Sequence, residues 1–538
     1  MVFARRSTTL LAAIIASCAM VLSLTACTSD NKTVVDGQTT VTSNSAGGVA
    51  VFTPSDGITL NQQMPLNKWA KLVPDLTKAL VDAGFKKGDI NHTTSDSLDK
   101  QSRAIQDFVV DHLSNNTTDD SGIAIAPDNM TLLVAPVVEA DASTRQYGDY
   151  VSQNLSTNDV TDEGATSDGE SSKDDSSNTE SDSTASDEQA QAVDRLVSSL
   201  KLAKESGMHV VLLGNSIEGY KPDAFVKFSD AQTIGKLQAE KMVSKLKLDK
   251  ASKDNPKYIE VLLPYTAVDE KGNANDSTFA QEAFRGIWQV LGSYYQKGVV
   301  ESPSGTLDGK STENDWQAVA YDAAKEGSTA KVLDKRLAKT DGQSTLTRID
   351  GIITMNDYIA SEVVKELDDL GYTGSAADIN PQITISGIVG NITGKKDLSR
   401  DAVPDPIKSP ENDNANDSSS SDDDADEDTS ASDKDRDSQW PLVTGYGAYV
   451  SNIPSIVNGK QWMTGMEDRQ TIATDIAQAC AKLNKDEALN SMPSIRRSEV
   501  GGVKKIPTIS EPLLAVSASN LKSALIDPGY ISLADAGL

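Results

Sequence analysis

The stretch Gly351-Ile-Ile-Thr-Met-Asn356-Asp357-Tyr-Ile-Ala-Ser-Glu362 decides how this chain is read. A short apolar run stops at Asn-Asp, and Tyr358, Ile359, Val363 and Leu367 then recur at helical spacing. The pattern predicts a buried parallel strand that turns into a helix, with two polar side chains at its C-terminal edge. In open α/β sheets that edge is where ligands bind. Asn and Asp before a helix also serve as plain N-caps that satisfy orphan amides. Both readings stand at this level.

Working outward, strand and helix patterns alternate on both sides. Residues 49–52 read as a first strand, and Trp69, Leu72, Leu76 and Leu80 mark a helix ending at Gly84. A second helix carries Leu98, Ile105, Phe108 and Val109, followed by a strand over 131–138, a helix over 189–206 and a strand over 209–213. A second series gives helix 231–246, strand 258–263, helix 278–295, strand 299–300 and helix 316–337, then the opening stretch and a strand over 383–389. Such βαβ alternation predicts an α/β protein of two doubly wound parallel-sheet lobes. A small ligand would bind in the cleft between them.

The chain has 538 residues and a net charge of -29. That balance argues against nucleic acid, because phosphate binding needs clustered Lys and Arg. Much of the charge lies in two runs, 156–188 and 411–437, built almost wholly of Ser, Asp, Asn, Thr and Glu. Neither can bury enough apolar surface to offset ordering entropy, so both are expected to be disordered. The acidic run at 422–428 lacks the Gly turn and terminal Glu of a calcium loop. Three histidines without metal spacing leave no zinc site, and neither a metal nor a cofactor is expected. No nucleophile elbow or phosphate loop is present, so no catalytic residue is assigned and the protein is not expected to be an enzyme.

At the N-terminus, Arg5-Arg6 precedes an apolar run over 10–24 that ends in Leu24-Thr25-Ala26-Cys27. A charged region followed by a short apolar core is a secretory signal, too short for a spanning helix. Its ending resembles a bacterial lipobox, which implies a signal peptide over 1–26 and lipidation of Cys27. The polar stretch 27–47 would then be a flexible tether. Cys480 shares a helical face with Ile472, Ile476 and Leu483, which points to core packing.

Several segments match, in order, a known pattern: Phe228-Ser-Asp230-Ala-Gln-Thr-Ile-Gly235, Gly286, Trp316, Asn356-Asp357, 458–464, Glu467-Asp468-Arg469, 502–507, 516–520 and Asp527-Pro-Gly-Tyr530. Through them the chain resembles the sugar-binding lipoproteins of ABC importers, of the xylose and multiple-monosaccharide type, from about Gly48 to Leu538. The resemblance implies the type I periplasmic-binding-protein fold, lobes joined by a hinge, and a monomer that delivers a sugar-like ligand to an ABC permease and its ATPase. It implies an N-terminal lobe over 48–228 and a C-terminal lobe over 229–465. Residues 466–502 would return to the first lobe and 503–538 to the second. The expected location is the extracytoplasmic face of the cell membrane, through the lipid anchor.

The ligand residues the resemblance implies are Trp69, Asn215, Asp230, Asn275, Asn356 and Asp357. Carboxylates and amides suit sugar hydroxyls, and aromatic rings suit sugar C–H faces. Each has an ordinary alternative: core packing for Trp69, a loop for Asn275, an N-cap for Asp230. The chain also departs from the pattern. Gly214 stands where a ligand-binding Asp is usual, Ala231 replaces Asn, Glu467 replaces Lys, and Lys68-Trp69 replaces Arg-Trp. Two segments, 385–389 and 443–447, compete for the final strand, and neither ends in the usual Asp; Gly447 is one of the substitutes. A surface sensor or interaction protein with a degenerate cleft is therefore the alternative function.

Overall fold

The computed structural model describes residues 46–55, 65–115, 125–138, 142–156, 180–268, 275–323, 325–338, 346–377 and 440–538. The signal peptide, Cys27, most of the tether, the strand expected at 383–389, the acidic run 411–437 and residues 157–179 of the other run lie outside the described residues.

The chain begins with strand β1 (Gly48–Pro54), helix α1 (Trp69–Asp82), strand β2 (Ile90–Ser95) and helix α2 (Leu98–Asn115). Strand β3 (Met130–Val134), the short helix α3 (Ala142–Arg145) and the two-residue strand β4 (Asn154–Leu155) lead to helix α4 (Glu180–Glu205). Strands β5 (His209–Leu213), β6 (Ser216–Ile217) and β7 (Ala224–Lys227) follow.

The second series starts with helix α5 (Ala231–Leu246), strands β8 (Lys257–Val261) and β9 (Leu263–Pro264), and helix α6 (Thr278–Gln296). It continues through β10 (Val300–Glu301), α7 (Trp316–Val319), β11 (Ala320–Tyr321), α8 (Ser328–Arg336), β12 (Gly351–Ile353) and α9 (Asp357–Asp369). Strand β13 (Leu442–Tyr446), helix α10 (Ile453–Val457) and strand β14 (Met463–Met466) complete it. The tail contains helix α11 (Arg469–Leu483) and strands β15 (Ile495–Val500), β16 (Val503–Ser510) and β17 (Leu514–Ser517).

Among the described residues two large sheets result, of seven strands in the order β15-β16-β7-β5-β3-β1-β2 and six in the order β10-β8-β12-β13-β14-β17, beside the two-stranded pairs β11-β9 and β4-β6. All pairs are parallel except β15 with β16 and β14 with β17. Both sheets are covered on both faces. Leu72, Leu76 and Leu80 of α1 pack with Ile472, Ile476 and Cys480 of α11 on one face of the first sheet. Ile105 and Val109 of α2 pack with Leu196 and Leu200 of α4 on the other. Each buried side chain of this size contributes about 1.5–3 kcal/mol. Cys480 is a free, fully buried thiol whose pKa burial pushes far up, as its place on the packing face implied. The second sheet is covered by α5 and α6 on one face and by α8 and α9 on the other.

The chain passes between the sheets three times: at 228–230, at 467–468 and at 511–513. The last crossing comes later than the expected break at 502–503. Strand β16 stays with the first sheet, because it pairs with both β15 and β7. The expected helix 316–337 is broken in two: Ala320 and Tyr321 pair with β9, and Gly327 has a φ of +70° just before α8. Strand β2 escaped the reading because its sequence, INHTTS, is largely exposed and carries one apolar residue at a sheet edge. Helix α4 begins at Glu180, inside the run read as disordered. Of the two candidates for the final strand, 443–447 overlaps β13, which lies between β12 and β14.

Candidate ligand cleft

In each sheet the strand order reverses beside the first strand of its series, between β1 and β3 and between β8 and β12. Open α/β sheets bind ligands outside the C-terminal ends of strands at such points. Trp69, Asn215 and Asp230 follow the C-terminal ends of β1, β5 and β7, while Asn275, Asn356 and Asp357 follow those of β9 and β12.

Asn356 is the N-cap of α9: its Oδ1 accepts from the Ile359 amide at 2.9 Å, while Nδ2 donates to Gln146 Oε1 at 3.1 Å. It therefore caps a helix and reaches across to a segment from the first series. The preceding Met355 has a φ of +68°, and its carbonyl accepts from Gln238 Nε2. Such left-handed backbone costs of order 1–3 kcal/mol and persists only where neighbours hold it.

Asp357 is fully buried and bonded to its own lobe. Its Oδ1 accepts from Gln461 Nε2 at 2.7 Å, and Oδ2 accepts from Thr464 Oγ1 at 2.8 Å and the Tyr449 amide at 2.9 Å. Burial raises its pKa to about 6 despite these donors. The carboxylate fixes the loop that follows β13, where Ala448 has a φ of +49°.

Asp230 caps α5, accepting from the Thr233 amide at 2.7 Å and pairing with Lys227 at 2.9 Å. Burial works against its ionisation, but the Thr233 hydroxyl and Lys227 ammonium hold its carboxyl below the usual range. Asn215 donates to the Pro136 carbonyl at 2.9 Å and accepts from the Gln153 amide at 3.0 Å. Asn275 donates to the Thr266 carbonyl at 2.8 Å, beside a cavity of about 10 Å³ lined by Tyr265, Asp276 and Phe279. That space is about one water in size. Trp69 is buried, edge-on to Tyr150 at 5.1 Å and to Phe228 at 5.6 Å.

Glu467, at the second crossing, is fully buried. Its Oε1 accepts from the Ser229 amide at 2.7 Å and from the Ser229 hydroxyl, which tie the first and second crossings together. Tyr446 reaches the same oxygen at 3.4 Å and the Ser229 hydroxyl at 2.6 Å. Burial raises the Glu467 pKa to about 7.

The segment Arg145-Gln-Tyr-Gly-Asp-Tyr150 was not singled out by the sequence reading, yet it touches Trp69 and Asn356. The available signal was two tyrosines flanking a glycine, in a connection leading to an acidic run. Among the described residues no His, Cys, Asp and Glu group could hold a metal ion, and no helix is long and apolar enough to cross a membrane.

No family model matches the sequence, and no curated protein does. Among solved structures, the chain is similar to an ABC transporter solute-binding protein from Clostridium phytofermentans with bound beta-D-glucose. Identity is 17%, coverage 91% of this chain and 99% of that one, and the TM-score 0.46. A carbohydrate transporter solute-binding protein from Chloroflexus aurantiacus, in complex with D-glucose, is 18% identical over 92% of this chain and 98% of that one, with a TM-score of 0.42. A sugar ABC transporter protein from Actinomyces odontolyticus is 10% identical over 89% and 97%, with a TM-score of 0.45.

Proposed function

We propose that this protein is an extracytoplasmic solute-binding protein, anchored through Cys27, that takes a small sugar-like ligand between two lobes and passes it to an ABC permease and its ATPase. The observation that carries the reading is the pair of doubly wound sheets linked by three crossings, with polar residues at the C-terminal ends of both. Hinge motion at 228–230, 467–468 and 511–513 would open and close the cleft, and the closed form would dock on the permease. The lobes would be 48–228 with the return through Ser510, and 229–466 with the return from Leu514. Lys68, Asn215 and Asn356 supply donors and acceptors suited to hydroxyls, and Trp69 supplies an apolar plane. The protein acts as a monomer without a cofactor, and it binds its ligand without chemical conversion.

The test is affinity capture of the full-length lipoprotein from solubilised membranes of its own cells, with partners identified by mass spectrometry. Recovery of a permease and its ATPase is expected. Recovery of a kinase ectodomain in their place would overturn transport and favour a sensor on the same fold.

A further inference from the structure

A segment of the chain itself touches residues of both lobes beside the candidate cleft. Residues 145–153, from the end of α3 to the start of β4, make contacts with both lobes. On the first lobe, Asp149 pairs with Lys68 Nζ at 2.8 Å and accepts from the Trp69 amide at 3.0 Å. Tyr150 stacks on Phe228 at 4.8 Å and lies edge-on to Trp69, and its hydroxyl donates to the Lys68 carbonyl at 2.5 Å. The Gln153 amide donates to Asn215 Oδ1 at 3.0 Å. On the second lobe, Gln146 accepts from Asn356 Nδ2 through its side chain and from the Tyr449 hydroxyl through its carbonyl at 2.7 Å. Tyr147 packs against Phe279 at 4.7 Å and belongs, with Val151, to the core of the second lobe. Where the chain crosses between lobes, the Ser152 amide donates to the Ser229 carbonyl at 3.2 Å.

The chemistry is that of a polar ligand in a sugar site. A carboxylate, an amide and backbone groups meet Lys68, Asn215 and Asn356, and two aromatic rings lie against Trp69, Phe228 and Phe279. One residue makes the seating possible. Gly148 has a φ of +93°, and a Cβ there would lie 2.6 Å from the Asn67 carbonyl oxygen. Any L side chain would meet both the backbone penalty and the collision.

We infer that residues 145–153 are an intramolecular occupant of the ligand cleft, holding the lobes closed without solute, and that free solute enters by displacing them. The inference rests on the two-lobed binding reading and adds a competitor in cis. A tethered occupant faces a high effective concentration at its site, so it lowers the apparent affinity of any free ligand.

The test is made on the mature full-length chain without any solute. Gly148→Ala loosens the segment while keeping every side chain that touches the cleft. A second variant replaces residues 145–153 by a Gly/Ser linker of equal length. Small-angle scattering is expected to show a larger radius of gyration for both variants than for the wild type. Hydrogen exchange at the Trp69 amide is expected to be about tenfold faster or more. Wild-type dimensions and wild-type exchange in Gly148→Ala would overturn the inference, even if the linker variant failed to fold. Because no sugar is present, the result is independent of the proposed function. Opening of the cleft in this test, with no binding heat when sugars are then titrated into the variants separately, would refute sugar transport and leave the occupant standing.

Discussion

Replacing Glu467 by Gln is expected to flatten the pH dependence of stability. The Glu467 carboxyl is fully buried where two crossings meet, and burial raises its pKa from 4.5 to about 7. The folded state therefore holds this proton more tightly than the unfolded chain does. Stability rises as pH falls through 7 and levels off below 4.5, the opposite of a salt-bridged carboxylate. One pKa unit corresponds to about 1.4 kcal/mol, so the full shift is worth roughly 3 kcal/mol, most of which falls between pH 8 and pH 5. Asp357, raised from 3.8 to about 6, acts in the same direction over the same window. Asp230, whose carboxyl is held low, contributes stability that is lost only below about pH 4. The amide introduced by Glu467→Gln keeps an acceptor for Ser229 and Tyr446 but cannot ionise. Urea unfolding at pH 5, 6, 7 and 8 should show the wild type gaining about 2–3 kcal/mol more toward acid than Glu467→Gln does. Parallel profiles for the two proteins would refute a raised Glu467.

Three further substitutions test the packing of the second lobe. Arg336 pairs with the fully buried Glu260 at 3.4 Å and also donates to the carbonyl oxygens of Val261 and Val319. Arg336→Met should cost about 3–5 kcal/mol in urea unfolding, because it strands a buried charge, while adding Glu260→Leu should recover much of the loss. Gly235 and Gly286 are the contact points of α5 and α6: a Cβ on Gly286 would overlap the Gln232 carbonyl, and one on Gly235 the Ala283 carbonyl. Gly286→Ala should destabilise by about 1–3 kcal/mol through overpacking, a loss that a melting curve will show.

The strand-to-helix edge at 351–362 was legible because it obeys two simple periodicities, and of the two readings of Asn356 the structure shows the N-cap of α9, while its Nδ2 donates to Gln146. Asp357 differs. Its carboxylate is consumed by Gln461, Thr464 and the Tyr449 amide, partners about ninety to a hundred residues along the chain that no local pattern connects to it. Cys480 was legible from helical spacing, since burial of a whole helix face leaves a repeating mark. Strand β2 was not, because an exposed edge strand needs no apolar alternation. The break between α7 and α8 depends on a two-residue pairing with β9, too short to leave a period. Least legible was the role of residues 145–153. Their contacts are spread over Lys68, Asn215, Phe279, Asn356 and Tyr449, so nothing in the segment itself names its partners.

The central claim is that the cleft binds a sugar-like solute in competition with the chain's own segment. Isothermal titration of the wild type and of Gly148→Ala against a panel of mono- and disaccharides tests it most directly. Binding heat is expected with at least one sugar, with affinity about tenfold higher or more in Gly148→Ala, where the occupant is loosened. No heat from either folded protein with any sugar would contradict it.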